Sequence, residues 1–484
     1  MMAIFIACVS SLVLLLLVSR YVFQLLGNAR GPPGPLPLPI IGNLLDVACT
    51  SRLLHRSLAR LAKRHGPLMT LRLGTAVVIV VSSPDAAREV LQTHNLTLAG
   101  RVPPDAWQGA GHAANSVFVL PPNHNKWRSL RRVGTENLLS ARRLDLLRPV
   151  HLLQDAVVSH VSSELAASSV VQVVHVASRA AVDVLWHAMF SCQVDASAYR
   201  ELHDLARHVG AIGLKPNVSD FFPVLAAADL QGVRRNFARK LGGLYQLIDV
   251  QIQRRRRDRR QLAASAPAGG ACRNGDLLDA MLDMAEQDED INNDTVKAFL
   301  TDLLLAAIET VPNGVEWAMA ELLQNPETMR KLKEELRSVD SVVRETLRLH
   351  TLVPFVPNKA AASVQVHGYT IPKGSTVIMN LWGVHHDAKV WPEPDKFIPD
   401  RFLGDKEVHF LGVDLEFIPF SGGRRICLGL PLASRMLHVI LAILLHRFEW
   451  ALPMLTEQNG VDMSENIGVT LSMANPLKTI PKPI

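Results

Sequence analysis

Phe420-Ser421-Gly422-Gly423-Arg424-Arg425-Ile426-Cys427-Leu428-Gly429 is a glycine-rich loop that presents a single cysteine just before a long apolar run, Pro431 to Phe448. A cysteine so placed lies where the unpaired N–H groups and macrodipole of a helix start favour the thiolate, the form that acts as nucleophile or metal ligand. Glycines allow the loop to lie flat against a planar partner, and Arg425 can pair with a carboxylate. Taken alone, the loop also suits a buried, inert cysteine.

Three further constellations precede it. Trp127-Arg-Ser-Leu-Arg131 puts an indole N–H donor and a guanidinium one turn apart on a helix. Ala306-Ala307-Ile308-Glu309-Thr310 sets an acid beside an alcohol within the apolar stretch Ile291 to Leu323, where the pair could relay protons. Glu345-Thr-Leu-Arg348 places opposite charges on one face of the expected helix Val342 to His350, and Phe397-Ile-Pro-Asp-Arg401-Phe402 follows.

In this order and spacing the motifs resemble those of the cytochrome P450 family. Phe420, Gly423, Arg425, Cys427 and Gly429 match its cysteine-ligand loop, Trp127 and Arg131 its Trp-x-x-x-Arg helix, Glu309 and Thr310 its oxygen-binding segment. The resemblance implies a mainly α fold with small β-sheets, preceded by an N-terminal transmembrane helix. It divides the chain into a membrane anchor (1–26), a proline-rich hinge (27–40) and a haem-binding catalytic domain (41–484). It implies haem b with Cys427 as the iron ligand, and Phe420, Gly423, Gly429, Trp127, Arg131 and Arg425 around the cofactor, the last three groups facing its propionates. Glu309 and Thr310 would be catalytic. Glu345, Arg348 and Arg401 would form a structural ion cluster behind the cysteine loop. A thiolate ligand pushes electron density onto iron and favours O–O cleavage. The implied partners are O2, a lipophilic small molecule, membrane lipid and an NADPH-cytochrome P450 reductase. PPGPLPLPIIGNL (32–44), ELLQNPETMRKLKEEL (321–336) and GLPLASRMLHVILAILLHRFEW (429–450) resemble plant endoplasmic-reticulum enzymes that hydroxylate geraniol and diterpenoids, pointing to a terpenoid substrate.

Composition agrees. With 484 residues, 48% hydrophobic and 20% charged, the chain can bury a large core. A net charge of +6 suits an acidic membrane or protein surface and does not call for nucleic acid. Five cysteines (Cys8, Cys49, Cys192, Cys272, Cys427) show neither zinc nor disulfide spacing, which argues for a reducing compartment. Met1 to Ser19 carries no charge and would span about 28 Å as a helix, while Arg20 and Arg30 follow it, so the positive-inside rule keeps the rest of the chain cytosolic. That topology discounts the Asn95-Leu96-Thr97 glycosylation acceptor. The prolines at 32, 33, 35, 37 and 39 make a stiff spacer. QRRRRDRRQ (253–261) is read as a solvated helix end leading into the flexible stretch Leu262 to Gly275. Gly109-Ala-Gly111-His-Ala-Ala114 fits a degenerate dinucleotide fingerprint, but no strand precedes it and no helix follows. The site is rejected, and electrons must come from a separate protein.

Several positions depart from the family. Ala307 stands where glycine is usual, Val311 where a second hydroxyl is usual, and Pro312 removes a helix hydrogen bond. Ser421 replaces a glycine, Leu428 a residue that is often proline, and Asn358 a base that faces a propionate. The passage from Leu336 to Glu345 is shortened. Two alternatives therefore accompany the monooxygenase: an inactive or haem-poor relative, and an isomerase or dehydratase that needs no external electrons.

Overall fold

The computed structural model describes residue 2 and residues 30–48, 53–146, 149–213, 215–265, 275–334, 339–403, 412–468 and 470–484. The expected anchor lies outside these residues, Met2 apart. The strands in chain order are β1 (Leu68–Leu73), β2 (Ala76–Val81), β3 (Val171–Gln172), β4 (Phe355–Lys359), β5 (Val364–Val366), β6 (Tyr369–Ile371), β7 (Thr376–Asn380), β8 (Phe448–Ala451), β9 (Glu465–Ile467), β10 (Leu471–Met473) and β11 (Lys478–Pro483). The principal helices are α1 (Leu54–His65), α2 (Asn125–Gly134), α3 (Pro149–Ala167), α4 (Val173–Phe190), α5 (Ala196–Gly213), α6 (Val233–Ser265), α7 (Leu277–Gln287), α8 (Asn293–Gln324), α9 (Pro326–Glu334), α10 (Val339–Leu349) and α11 (Leu430–Arg447). The result is mainly helical with small sheets, as the sequence implies.

The β-branched run before Val81 folds as the hairpin β1–β2, turned at Gly74 with φ 60. β2 continues parallel into β7, and β7 pairs antiparallel with β4, giving one four-stranded sheet in the order β1-β2-β7-β4. An isolated bridge from Gly100 to Lys359 fastens the segment before Arg101 to the free edge of β4. This bridge carries residues 256 positions apart in sequence, Arg101 and Pro357, into contact.

Helix α8 runs through the core, with Phe299, Leu300, Leu304, Val315 and Trp317 buried. Asn292 caps its start, accepting from the Thr295 N–H at 3.0 Å. Gly314 lets α11 approach: a Cβ there would stand 2.7 Å from Leu437 and 3.2 Å from Leu352. Pro312 cannot donate to the Ile308 carbonyl, and the helix nevertheless continues through it. The freed carbonyl accepts the Ser178 hydroxyl of α4 at 3.4 Å. α8 and α11 are long and apolar enough to cross a membrane, but 67% and 50% of those windows are buried inside the protein, which makes them core helices.

The basic run corrects one expectation. α6 continues to Ser265, and Arg255 and Arg259, one turn apart, face α7 instead of water. Arg255 grips Asp276 through two hydrogen bonds of 2.7 Å, and Arg259 binds Asp279 and Asp283.

Candidate active site

The cysteine loop is closed by the Cys427 N–H donating to the Phe420 carbonyl at 3.0 Å. Gly423, at φ 63, is required for close packing, since a Cβ would stand 2.3 Å from the Leu91 carbonyl oxygen. Ser421 occupies the same left-handed region, φ 59, without being glycine. Gly429 caps α11, and the N–H groups of Gly429 and Leu430 point at the Cys427 sulfur. Burial pushes the thiol above its ordinary value, while those N–H groups and the Arg131 guanidinium pull it down. The side chain is nonetheless exposed.

Three arginines converge beside it. Arg131, from α2, donates to the Ile426 carbonyl at 3.0 Å and lies over the Trp127 ring at 5.2 Å. Arg425 also lies over the indole, at 4.9 Å, and donates to the carbonyls of Ala99, Val117 and Leu120. Arg101 donates to the Pro357 carbonyl and to the Asn358 side chain. Burial, then repulsion from Arg101 and Arg131, lowers Arg425 to about 9. Burial also lowers Arg101 to about 10 and lowers Arg131. Among the described residues no carboxylate pairs with any of the three. The Trp127 indole N–H is taken by the Val117 carbonyl at 3.1 Å, so the structure shows this group holding the loop ahead of α2.

On α8 the buried surface opens at Leu305, Ala306 and Ala307, and again at Glu309 and Thr310. The Thr310 hydroxyl donates to the Ala306 carbonyl at 2.8 Å. The Glu309 carboxyl lies 3.5 Å from the Thr470 hydroxyl, which Asn313 grips at 2.6 Å. Burial raises Glu309 above its ordinary value, against the opposing influence of Arg207 and Thr470. Val311 is buried and apolar, so no second hydroxyl stands there.

Behind the loop, Glu345 and Arg348 are fully buried and joined at 2.7 and 2.8 Å. Arg401 binds the same carboxylate at 3.1 Å, and the Ile398 N–H adds a bond of 2.9 Å. Arg348 also donates to the carbonyls of His385, Pro394 and Lys396. The cluster is therefore assembled in spite of the short passage between α9 and α10.

The family model of cytochrome P450 matches residues 32–478. This chain belongs to the cytochrome P450 family. Oryzalexin E synthase of Oryza sativa subsp. japonica is 37% identical over 478 residues, covering 93% of this chain and 91% of the relative. Carnosic acid synthase of Rosmarinus officinalis is 36% identical over 484 residues, with 93% and 92% covered. Cytochrome P450 76T24 of Catharanthus roseus is 36% identical over 484 residues, with 94% and 93% covered. Membership implies an oxidoreductase of the monooxygenase type with a haem-thiolate cofactor, a small-molecule substrate, O2 and a redox partner.

The residues of this cytochrome P450 fit such a cofactor. The two propionates of a haem would need cations without carboxylate partners, and the buried Arg425 with the half-buried Arg101 and Arg131 could supply them. Arg101 was not apparent from sequence, because a lone arginine in Ala99-Gly100-Arg101 carries no periodicity and no motif. Asn358, which stands where the family has a base, turns out to be a tether for it.

Proposed function

We propose that this cytochrome P450 inserts one oxygen atom of O2 into a lipophilic small molecule, a terpenoid, using electrons from NADPH through NADPH-cytochrome P450 reductase. The observation that carries the reading is the set of arginines without carboxylate partners beside the loop that presents Cys427 at the start of α11. Haem bound through Cys427 would supply the oxygen chemistry, and a metal cation on the open side would hold the sulfur as thiolate. Arg101, Arg131 and Arg425 would anchor the propionates. Glu309 holds a proton at its carboxyl more readily than an exposed glutamate does. Thr310, whose own hydroxyl hydrogen is engaged by Ala306, keeps lone pairs free to accept at its Oγ1.

The opening at Leu305–Ala307 and the half-buried Val353, Phe355 and Val356 offer an apolar surface that suits a lipophilic substrate. The terpenoid class is supported by the relatives named oryzalexin E synthase and carnosic acid synthase. For location we propose the endoplasmic-reticulum membrane with the catalytic domain cytosolic. Met1 to Ser19 is uncharged and apolar. Leu36, Leu38 and Ile40 of the hinge are exposed, as are Val224, Leu225 and Leu230. Both segments are tied to the β1–β2 turn, through Gly74 to Ile41 and Thr75 to Phe221. An apolar surface of this kind suits lipid.

The test is the absorbance difference spectrum of the reduced protein with carbon monoxide, with Cys427→Ala as control. The thiolate-ligated Soret band is expected in the parent and absent in the control. Its absence from the parent would leave the haem-poor relative as the reading, and turnover without NADPH would leave the isomerase or dehydratase.

A further inference from the structure

The glycine-containing decoy at Gly109 to Ala114 is a kink with a purpose. Within the short helical segment Asp105–Ala114, Ala110 and Gly111 adopt φ 56 and 67, and a Cβ on Gly109 would stand 2.9 Å from the Arg234 carbonyl oxygen. The kink drives His112 into the core, where it is fully buried. Its Nε2 lies 3.0 Å from Asp302 Oδ1 on α8, and its Nδ1 lies 2.6 Å from the Tyr245 hydroxyl on α6. A carboxylate accepts, so Nε2 carries a proton, and in the neutral ring the tyrosine O–H donates to Nδ1. The other Asp302 oxygen accepts from the Ser116 hydroxyl and the Val117 N–H, both at 2.8 Å.

Val117 is the point of contact with the cradle. Its carbonyl accepts from the Trp127 indole at 3.1 Å and from Arg425 at 3.2 Å. A continuous chain of bonds thus runs from Tyr245 through His112 and Asp302 to the Val117 backbone, and from there to Arg425.

We propose that His112 is a positioning residue for the haem-propionate cradle: by supplying one of three donors to buried Asp302, it fixes the Val117 backbone and so aims Arg425. This rests on the haem site proposed above. Without His112, Asp302 remains buried and short of a donor, its Oδ1 is no longer held, and the carboxylate that seats the Val117 N–H is free to turn. Arg425, already disfavoured by burial and by its arginine neighbours, then loses a fixed carbonyl.

The experiment measures transfer of haem from the full-length protein to excess apomyoglobin. The variants are His112→Leu, His112→Gln and Tyr245→Phe. Leu153→Ala, a core truncation on α3 outside the chain of bonds, serves as the stability control. All are compared at one interval below their own melting temperatures. His112→Leu is expected to lose haem about tenfold faster than Leu153→Ala, the scale usual for removing a supporting partner of a cofactor site. His112→Gln, whose amide N–H overlays Nε2, should recover most of the retention, with Tyr245→Phe between them. Equal rates for His112→Leu and Leu153→Ala would overturn the proposal, as would His112→Gln behaving like His112→Leu. A parent protein with no thiolate Soret band would overturn the haem site itself, a result distinct from either.

Discussion

Arg255 and Arg425 are both buried, each 8% exposed, and with their arginine neighbours they behave in opposite ways. Between α6 and α7, burial alone would lower Arg255, but hydrogen bonds and charge from Asp276 and Asp279 outweigh it and raise the group above its ordinary value. Arg259 is raised in the same manner by Asp279 and Asp283. Around Cys427 the balance is reversed: Arg425 falls to about 9 and Arg101 to about 10, with only carbonyls, an amide and an indole face as neighbours. The unpaired set is the one that suits the anion proposed above, the haem propionates.

The comparison is broken most directly by removing one member from each group. Arg255→Leu strands Asp276 in the interior and leaves Asp279 to Arg259 alone, and should cost about 3–5 kcal/mol, read by denaturant unfolding of the haem-free protein. Arg425→Leu removes a desolvated and repelled charge along with its bonds to three carbonyls, so the two effects oppose and the haem-free protein should lose far less stability than Arg255→Leu does, while haem retention collapses. Equal losses of haem-free stability would show that both groups are structural.

The groups also differ in how far sequence revealed them. Cys427, Arg131 and Arg425 sit in local motifs whose spacing is fixed by one loop or one helical turn. Glu345, Arg348 and Arg401 are legible for the same reason. Arg101 depends on the Gly100–Lys359 bridge, a contact between distant strands that no local pattern encodes. The charge density of QRRRRDRRQ suggests a solvated face and hides the periodicity. Arg255 and Arg259 are four apart, and Asp276, Asp279 and Asp283 repeat on one face of the next helix, which together were the available signal. His112 was hidden inside a false dinucleotide fingerprint.

An acid without a partner escapes a predicament that an arginine cannot. Glu316 on α8 is buried with a single bond, from the Leu477 N–H at 2.8 Å, and burial raises it from 4.5 to about 7. Between those two values the folded chain keeps a proton that the unfolded chain has released. Stability contributed by this group therefore falls as pH rises from 4.5 to about 7. Glu316→Gln keeps the acceptor for Leu477 and removes the titration. It should be neutral near pH 4 and stabilising by about 2–4 kcal/mol at pH 8, measured by unfolding at both values. An unchanged slope in the variant would mean that Glu316 is already ionised in the fold.

The smallest effect separates charge from backbone strain within the cysteine loop. Ser421 at φ 59 bears the penalty of an L side chain in the left-handed region, about 1–2 kcal/mol. Glycine removes it but loses about 0.5–1 kcal/mol more entropy on folding, so Ser421→Gly should gain roughly 0.5–1 kcal/mol net. Strain of this kind belongs to the chain and not to an anion. The gain should therefore be the same with and without haem, whereas every substitution in the arginine cradle should act differently in the two forms. A gain confined to the haem-bound protein would place Ser421 among the groups that shape the cofactor site, and the distinction between charge and strain in this loop would no longer hold.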